Sequence, residues 1–188
     1  MENVNYTKEK VTISIGWANI FGLLLLIPTG IIFGLPYHLI WTLDVQFDLP
    51  FWMELLDISW IFILYVLAGV VAHELIHGIF FARYAKNGFQ SVTFGVMWKM
   101  IAPYCHCKEP LTVRQYVIGA MMPTIILGFL PAILAIIIGN AGLLAFGIFF
   151  TIAGCGDILM IYALRKEKED TLVEDHPSEA GFYVYRTN

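Results

Sequence analysis

The chain has 188 residues, a formal net charge of -4, 59% hydrophobic residues and only 14% charged ones. With a mean hydropathy of +0.72 it falls outside the soluble globular range, where roughly half the residues are apolar and a quarter charged. The acidic balance gives no basic footprint for nucleic acid. Three cysteines, Cys105, Cys107 and Cys155, are too few and too odd in number for a disulfide framework, so reduced thiols are expected. The class that remains is a single-domain, all-α membrane protein: a bundle of about four transmembrane helices, with the lipid bilayer as its first partner.

In chain order, Met1 to Ser14 is polar and carries Lys8, Glu9 and Lys10 just before the first apolar run. Residues 15–35 are long enough to span and are read as a retained first helix. A secretory signal peptide is the competing reading, but the run exceeds an ordinary apolar signal core and no A-x-A-like cleavage site follows. Pro28 and Pro36 are expected to kink and end this span. Residues 37–57 interleave Asp44, Asp48, Glu54 and Asp57 with Trp41, Phe47, Phe51 and Trp52, which fits an interfacial loop or short helix, with His38 also interfacial.

Residues 58–84 form the second span, closed by Arg83 and Lys86 and the turn signal Asn87-Gly88. The stretch 89–111 is too polar and too broken by Pro103 and Pro110 to cross a membrane. Its β-branched and aromatic run Phe89 to Trp98 reads as strand, giving a small β-hairpin or sheet after the second span. Residues 113–138 make a third span, irregular because Pro123, Gly128 and Pro131 lie inside it. After the turn Gly139 to Gly142, residues 143–164 make a fourth, with one charge, Asp157, following Gly154-Cys155-Gly156. Residues 165–188 read as a polar tail containing Asp175-His176-Pro177, in which His176 is expected to be solvated. No internal repeat or low-complexity tract is evident. The basic residues Lys8, Lys10, Arg83, Lys86, Lys99, Lys108, Arg114, Arg165, Lys166 and Lys168 all fall on one side of four spans, which puts both termini in the cytoplasm by the positive-inside rule.

Within the second span lies His73-Glu74-Leu75-Ile76-His77. On a helix, residues four apart are neighbours, so two imidazoles can reach one metal ion while Glu74, one position round, can reach a water at that metal. Ionisable groups in an apolar span are costly and mark function. A catalytic zinc site needs a third protein ligand. Counted from the basic span ends at about 1.5 Å per residue, His77 lies about 9 Å, His73 about 15 Å and Asp157 about 12 Å deep, which makes Asp157 the candidate third ligand. Its structural alternative is a pairing with Arg114 or a tyrosine hydroxyl. Cys105-His106-Cys107 carries metal-ligand residue types but lacks paired C-x-x-C spacing, so packing or a substrate-loop role is the competing reading.

With those residues in view, the chain resembles a bacterial membrane family described as zincin peptidases and of unknown function, and more distantly the site-2 proteases, which are intramembrane metalloproteases. The resemblance runs from about Leu67 to Tyr185. It is carried by His73-Glu74-Leu75-Ile76-His77, the segment Pro103-Tyr104 to Pro110 before Arg114-Gln115-Tyr116, Pro123, and Gly156-Asp157 followed by Asp175-His176-Pro177. It implies an integral protein of the bacterial cell membrane, a third, aspartate ligand on a later span and β-structure beside the motif helix. One departure is that Gly156 precedes Asp157, whereas the site-2 aspartate typically precedes its glycine. The expected activity is a zinc-dependent membrane peptidase acting on a peptide or membrane-protein substrate in or near the cytoplasmic half of the bilayer. Zn2+ would be held by His73, His77 and Asp157, with Glu74 as general base. The alternatives are a non-hydrolytic metal sensor or transporter, for which Glu74 is not required, and a scaffold without metal.

Overall fold

The computed structural model describes residues 6–41, 60–97, 102–177 and 179–187. Its frame is helical. The first apolar run forms α1 (Ile15–Thr29), passes through a π-helical turn at Gly30–Gly34 and continues as α2 (Leu35–Trp41). The second forms α3 (Trp60–Tyr84). The third is α4 (Val113–Pro123), a π turn at Thr124–Phe129 and α5 (Leu130–Ile138). The last is split into α6 (Ala141–Ala153) and α7 (Cys155–Leu164). Gly16–Trp41, Trp60–Tyr84 and Val113–Ile138 are each long and apolar enough to cross a membrane; α6 with α7 makes a fourth if the pair, bent by 42°, is one span. Leu23, Ile27, Ile61, Leu64 and Ile137 all stand more than half exposed on these helices. Apolar side chains so displayed are compatible with a multi-pass membrane protein, whose solvent is itself apolar.

Pro36, expected to end the first span, does not: the helix runs on to Trp41, taking in residues 37–41 of the predicted interfacial loop. The remainder of that loop, residues 42–57, lies outside the described residues. The reason for the continuation is visible in a short internal repeat, contrary to the expectation of none. Residues 28–36 and 123–131 both begin Pro-Thr and end Leu-Pro. Between the prolines each widens into a π turn, closed by a hydrogen bond from Leu35 N–H to the Gly30 carbonyl in one and from Leu130 N–H to the Ile125 carbonyl in the other. A proline has no N–H and its ring collides with the carbonyl one turn back. Re-registering the ladder by one residue absorbs both defects without breaking the rod.

Turn chemistry fixes the other joints. Gly139, at φ 72, takes the left-handed conformation that ends α5, and the Asn140 side chain accepts the Leu143 N–H at 2.8 Å to start α6. The predicted single fourth span bends at Gly154. A Cβ there would stand 2.1 Å from Thr124 Oγ1, so this position must be glycine for α6 and α7 to cross the π turn of the third span. Thr112 and Gln115 form a reciprocal capping box at the start of α4: the Gln115 amide donates to Thr112 Oγ1, and the Thr112 amide to Gln115 Oε1 at 3.0 Å.

Two antiparallel sheets lie at the end of the bundle where α3 stops. β2 (Val92–Met97) pairs with β3 (Ala102–Cys107), Val92 opposite Cys107 and Met97 opposite Ala102, which is the hairpin expected after the motif helix. The strand starts later than predicted, because Gly88–Ser91 is a 3-10 turn, and Trp98 lies outside the described residues. The second sheet corrects the reading of both chain ends. β1 (Tyr6–Thr12), β4 (Leu111–Thr112), β5 (Leu172–Asp175) and β6 (Gly181–Thr187) form a four-stranded sheet in the order β1-β6-β5-β4. Composition hides it, since β1 is exposed almost throughout. The inward positions Val173, Phe182 and Val184 are fully buried and pack with Phe81, Tyr116 and Leu164. Ion pairs tie β1 into this sheet: Lys8 to Glu174 of β5 at 3.0 Å, Lys10 to Glu179 of the β5–β6 turn at 2.6 Å, and Glu9 to Arg186 of β6, which also pairs with Glu167.

The hairpin is anchored to α3 by Glu109. Its carboxylate accepts the Lys86 amide at 2.7 Å, the Asn87 amide at 3.3 Å, the Asn87 side-chain amide at 2.5 Å and the Ser91 hydroxyl at 2.5 Å. The Ser91 bond is the largest influence holding the Glu109 carboxyl below its ordinary value of 4.5, with the Lys86 and Asn87 bonds adding to it against a small burial cost. A carboxyl depressed in the folded state contributes stability that is present above its unfolded value and is lost as pH falls through the folded one. Acid titration of thermal stability should therefore show a loss beginning near 4.5, and Glu109→Gln should flatten that part of the profile. Helix contact in the bundle makes a second prediction. A Cβ on Gly147 would meet the Ala132 backbone nitrogen at 2.5 Å, whereas one on Gly30 meets nothing within 4 Å. Gly147→Ala should cost about 1–3 kcal/mol in detergent unfolding and Gly30→Ala close to nothing.

Candidate metal centre

α3 places His73 and His77 one turn apart with their Nε2 atoms 3.2 Å from each other. Asp157 enters from the first turn of α7, the helix that the Gly154 bend gives its own axis. Its Oδ2 lies 3.2 Å from His73 Nε2 and its Oδ1 3.4 Å from His77 Nε2. The two histidines are 8% and 7% exposed. The alternative pairing of Asp157 with Arg114 is not what the structure contains. Among the described residues, His73, His77 and Asp157 form the one grouping whose ligand atoms converge closely enough for a metal ion.

The donor set fits zinc. Bonds of about 2.0–2.2 Å to nitrogen and oxygen in a tetrahedron separate neighbouring donors by about 3.3–3.5 Å; here the two imidazole nitrogens are 3.2 Å apart, and each has a different Asp157 oxygen beside it, Oδ2 at 3.2 Å from His73 and Oδ1 at 3.4 Å from His77. The His77 Nδ1 lies 3.0 Å from the Gly119 carbonyl. Assigning the ring proton to Nδ1 leaves the Nε2 lone pair turned to the cluster, the arrangement a metal-ligating imidazole needs. Gly119 is required here because a Cβ would meet the Phe81 ring at 2.3 Å. His73 Nδ1 is buried and has no hydrogen-bond partner among the described residues. The His77 ring stacks on Phe81, Phe81 on Tyr116, and Tyr116 meets Phe182 edge-on, so an aromatic column ties the cluster to the four-stranded sheet. His73 stacks on Phe150.

Glu74 is half-buried on the same turn, in electrostatic contact with His77, His73 and Asp157 and beside the backbone of Cys105 on β3. A cavity of about 510 Å³ opens from the cluster toward the sheets. His77 and Asp157 line one part of its wall; Tyr104, Cys105 and His106 of β3 line another, and Asp175-His176-Pro177 a third. The tail motif is thus part of the site region. His176 is held there rather than freely solvated, its Nδ1 accepting the Glu179 amide at 3.0 Å and its ring packing on Tyr183. His38 sits half-buried on α2 and does not line this cavity.

Cys105 and Cys107 take no part in the cluster. Burial pushes both thiols above their ordinary value, Cys107 to about 11. The Cys107 thiol donates instead to the Glu109 carbonyl at 3.5 Å. Asp175, part of a motif without an assigned role, is the unexpected member of the cavity wall. It is buried, accepts the Tyr116 hydroxyl at 2.7 Å and the Cys107 amide at 2.8 Å, and has His106 Nδ1 at 4.0 Å. Burial raises its carboxyl above the ordinary range, against the pull of the Cys107 amide, the Tyr116 hydroxyl and His106.

Elemental analysis of the purified chain reconstituted with excess zinc should find about one ion per chain, lost in both His77→Ala and Asp157→Ala while the proteins remain folded. Retention of the ion in Asp157→Ala would remove that residue from the ligand set.

No curated protein and no solved structure matches the chain. A family model does, over residues 66–172, which include the whole of the cluster and more than half of the chain. The chain belongs to that family, whose description is "Putative zincin peptidase".

Proposed function

We propose that the chain is a zinc-dependent integral membrane peptidase whose centre is His73, His77 and Asp157, with Glu74 as general base. The observation that carries this reading is the convergence of two imidazole nitrogens and the Asp157 carboxylate within 3.2–3.4 Å, with Glu74 on the same helical turn. Zinc, when bound, supplies a Lewis acid that polarises the scissile carbonyl and acidifies a water. Glu74 takes the proton of the attacking water and hands it to the departing amine. His77 is kept in register by the Gly119 carbonyl, and the buried histidines hold the centre away from bulk water.

Substrate would be held extended along β3. This strand has β2 on one side and no strand on the other among the described residues. Cys107 turns its amide away from β2, to Asp175, and Cys105, two residues back on the same edge, lies beside Glu74. An extended peptide added at that edge gains main-chain hydrogen bonds and brings a carbonyl toward Glu74. The basic residues flanking the apolar helices favour an orientation with both ends of the chain, the sheets and the cavity mouth in the cytoplasm, so that cleavage takes place in or near the cytoplasmic half of the bilayer.

The test is Glu74→Gln in the full chain reconstituted in liposomes and supplied with a mixture of synthetic peptides, with cleavage followed by mass spectrometry. The variant should keep its zinc and cleave about 10²- to 10⁴-fold more slowly. Cleavage at the wild-type rate with zinc retained would sink the role given to Glu74.

A further inference from the structure

We propose that His106, steered by Asp175, is a second electrophile of this site, its ring N–H donating to the oxygen of the scissile carbonyl as negative charge develops there. The inference rests on the peptidase reading above.

Three observations carry it. His106 and Asp175 line the same cavity as His77 and Asp157, so a carbonyl held at the cluster shares that cavity with the side chain of His106. Asp175 is buried and fixed from two directions, Oδ1 by the Tyr116 hydroxyl and Oδ2 by the Cys107 amide. A carboxylate desolvated and immobilised in this way is costly, and nothing in the metal cluster requires it. Its Oδ2 faces His106 Nδ1 at 4.0 Å. A proton on each ring nitrogen lets the imidazole bridge the two groups, Nδ1–H toward the carboxylate and Nε2–H toward the carbonyl oxygen. Asp175 is then a positioning residue: it orients the ring through Nδ1 and balances its charge.

Apart from the zinc it would hold, the cluster offers no hydrogen-bond donor for this work. His73, His77 and Asp157 are engaged with one another, and Glu74 is an acceptor while it takes a proton. A charge-assisted donor on the wall of the same cavity adds a hydrogen bond to the developing oxyanion. β3 delivers it. His106 lies between Cys105, whose backbone adjoins Glu74, and Cys107, whose amide holds Asp175.

The test uses the zinc-loaded, detergent-solubilised full chain and two probes, read by calorimetry. A phosphinic tripeptide presents a tetrahedral, charged centre; acetohydroxamate binds zinc without one. His106→Ala should keep its zinc, lose about 10- to 100-fold in affinity for the phosphinate and leave acetohydroxamate unchanged within about twofold. His106→Gln, which restores a neutral N–H, should recover part of the loss, and Asp175→Asn should show the same selective pattern more weakly. Unchanged phosphinate affinity in His106→Ala overturns the proposal, and so does an equal loss for both probes or a loss of zinc, either of which makes His106 structural. A wild-type chain that takes up no zinc or binds neither probe overturns the peptidase reading itself, and the inference with it.

Discussion

A carboxylate and two imidazoles brought together inside an apolar bundle are the constraint on which the rest of this structure depends. Each is a group that loses hydration on burial and regains it only from a partner. The imidazole nitrogens stand 3.2 Å apart with the two Asp157 oxygens at 3.2 Å from one and 3.4 Å from the other, close enough for a single cation to bridge the three residues. The helices are shaped to deliver them there. α3 sets two histidines on one face, and α7 must bend away from α6 for Asp157 to meet them.

That bend and the close helix contacts are built from small residues and displaced prolines. Gly154 admits Thr124, and Gly147 lies against the Ala132 backbone. Such contacts rely on backbone approach, which a side chain at these positions would prevent. The two Pro-Thr to Leu-Pro stretches serve the same frame. Each turns a break in the hydrogen-bond ladder into a π turn that keeps the rod continuous. The Thr124 hydroxyl, fully buried and without a hydrogen-bond partner among the described residues, marks the point where this packing is tightest.

The sheets extend the site beyond the helices. The aromatic column from His77 through Phe81 and Tyr116 to Phe182 joins the cluster to the sheet core, and Asp175 ties β5 to β3 and α4 by two hydrogen bonds. Glu109 locks the hairpin to the end of α3. A shift of the hairpin would therefore be felt at both walls of the cavity. This coupling holds the β3 edge, Glu74 and the cluster of His73, His77 and Asp157 in one arrangement.

What the sequence by itself determined is whatever local periodicity and composition encode. Apolar runs long enough to span, the turn at Gly139-Asn140, the capping pattern of Thr112 and Gln115, and the pairing of His73 with His77 all follow from contacts a few residues apart. Asp157 could be named because helix rise converts residue number into depth, and few charges compete at that depth. The tertiary structure decided the remainder. The four-stranded sheet joins β1 to β6 across nearly the whole chain, and its first strand is polar and exposed, with no periodic signal. Asp175 finds Cys107 68 residues away and Tyr116 59 away, and Gly156, beside Asp157, opens onto the cavity. Such partnerships depend on how whole helices and sheets pack. No spacing along the chain encodes them.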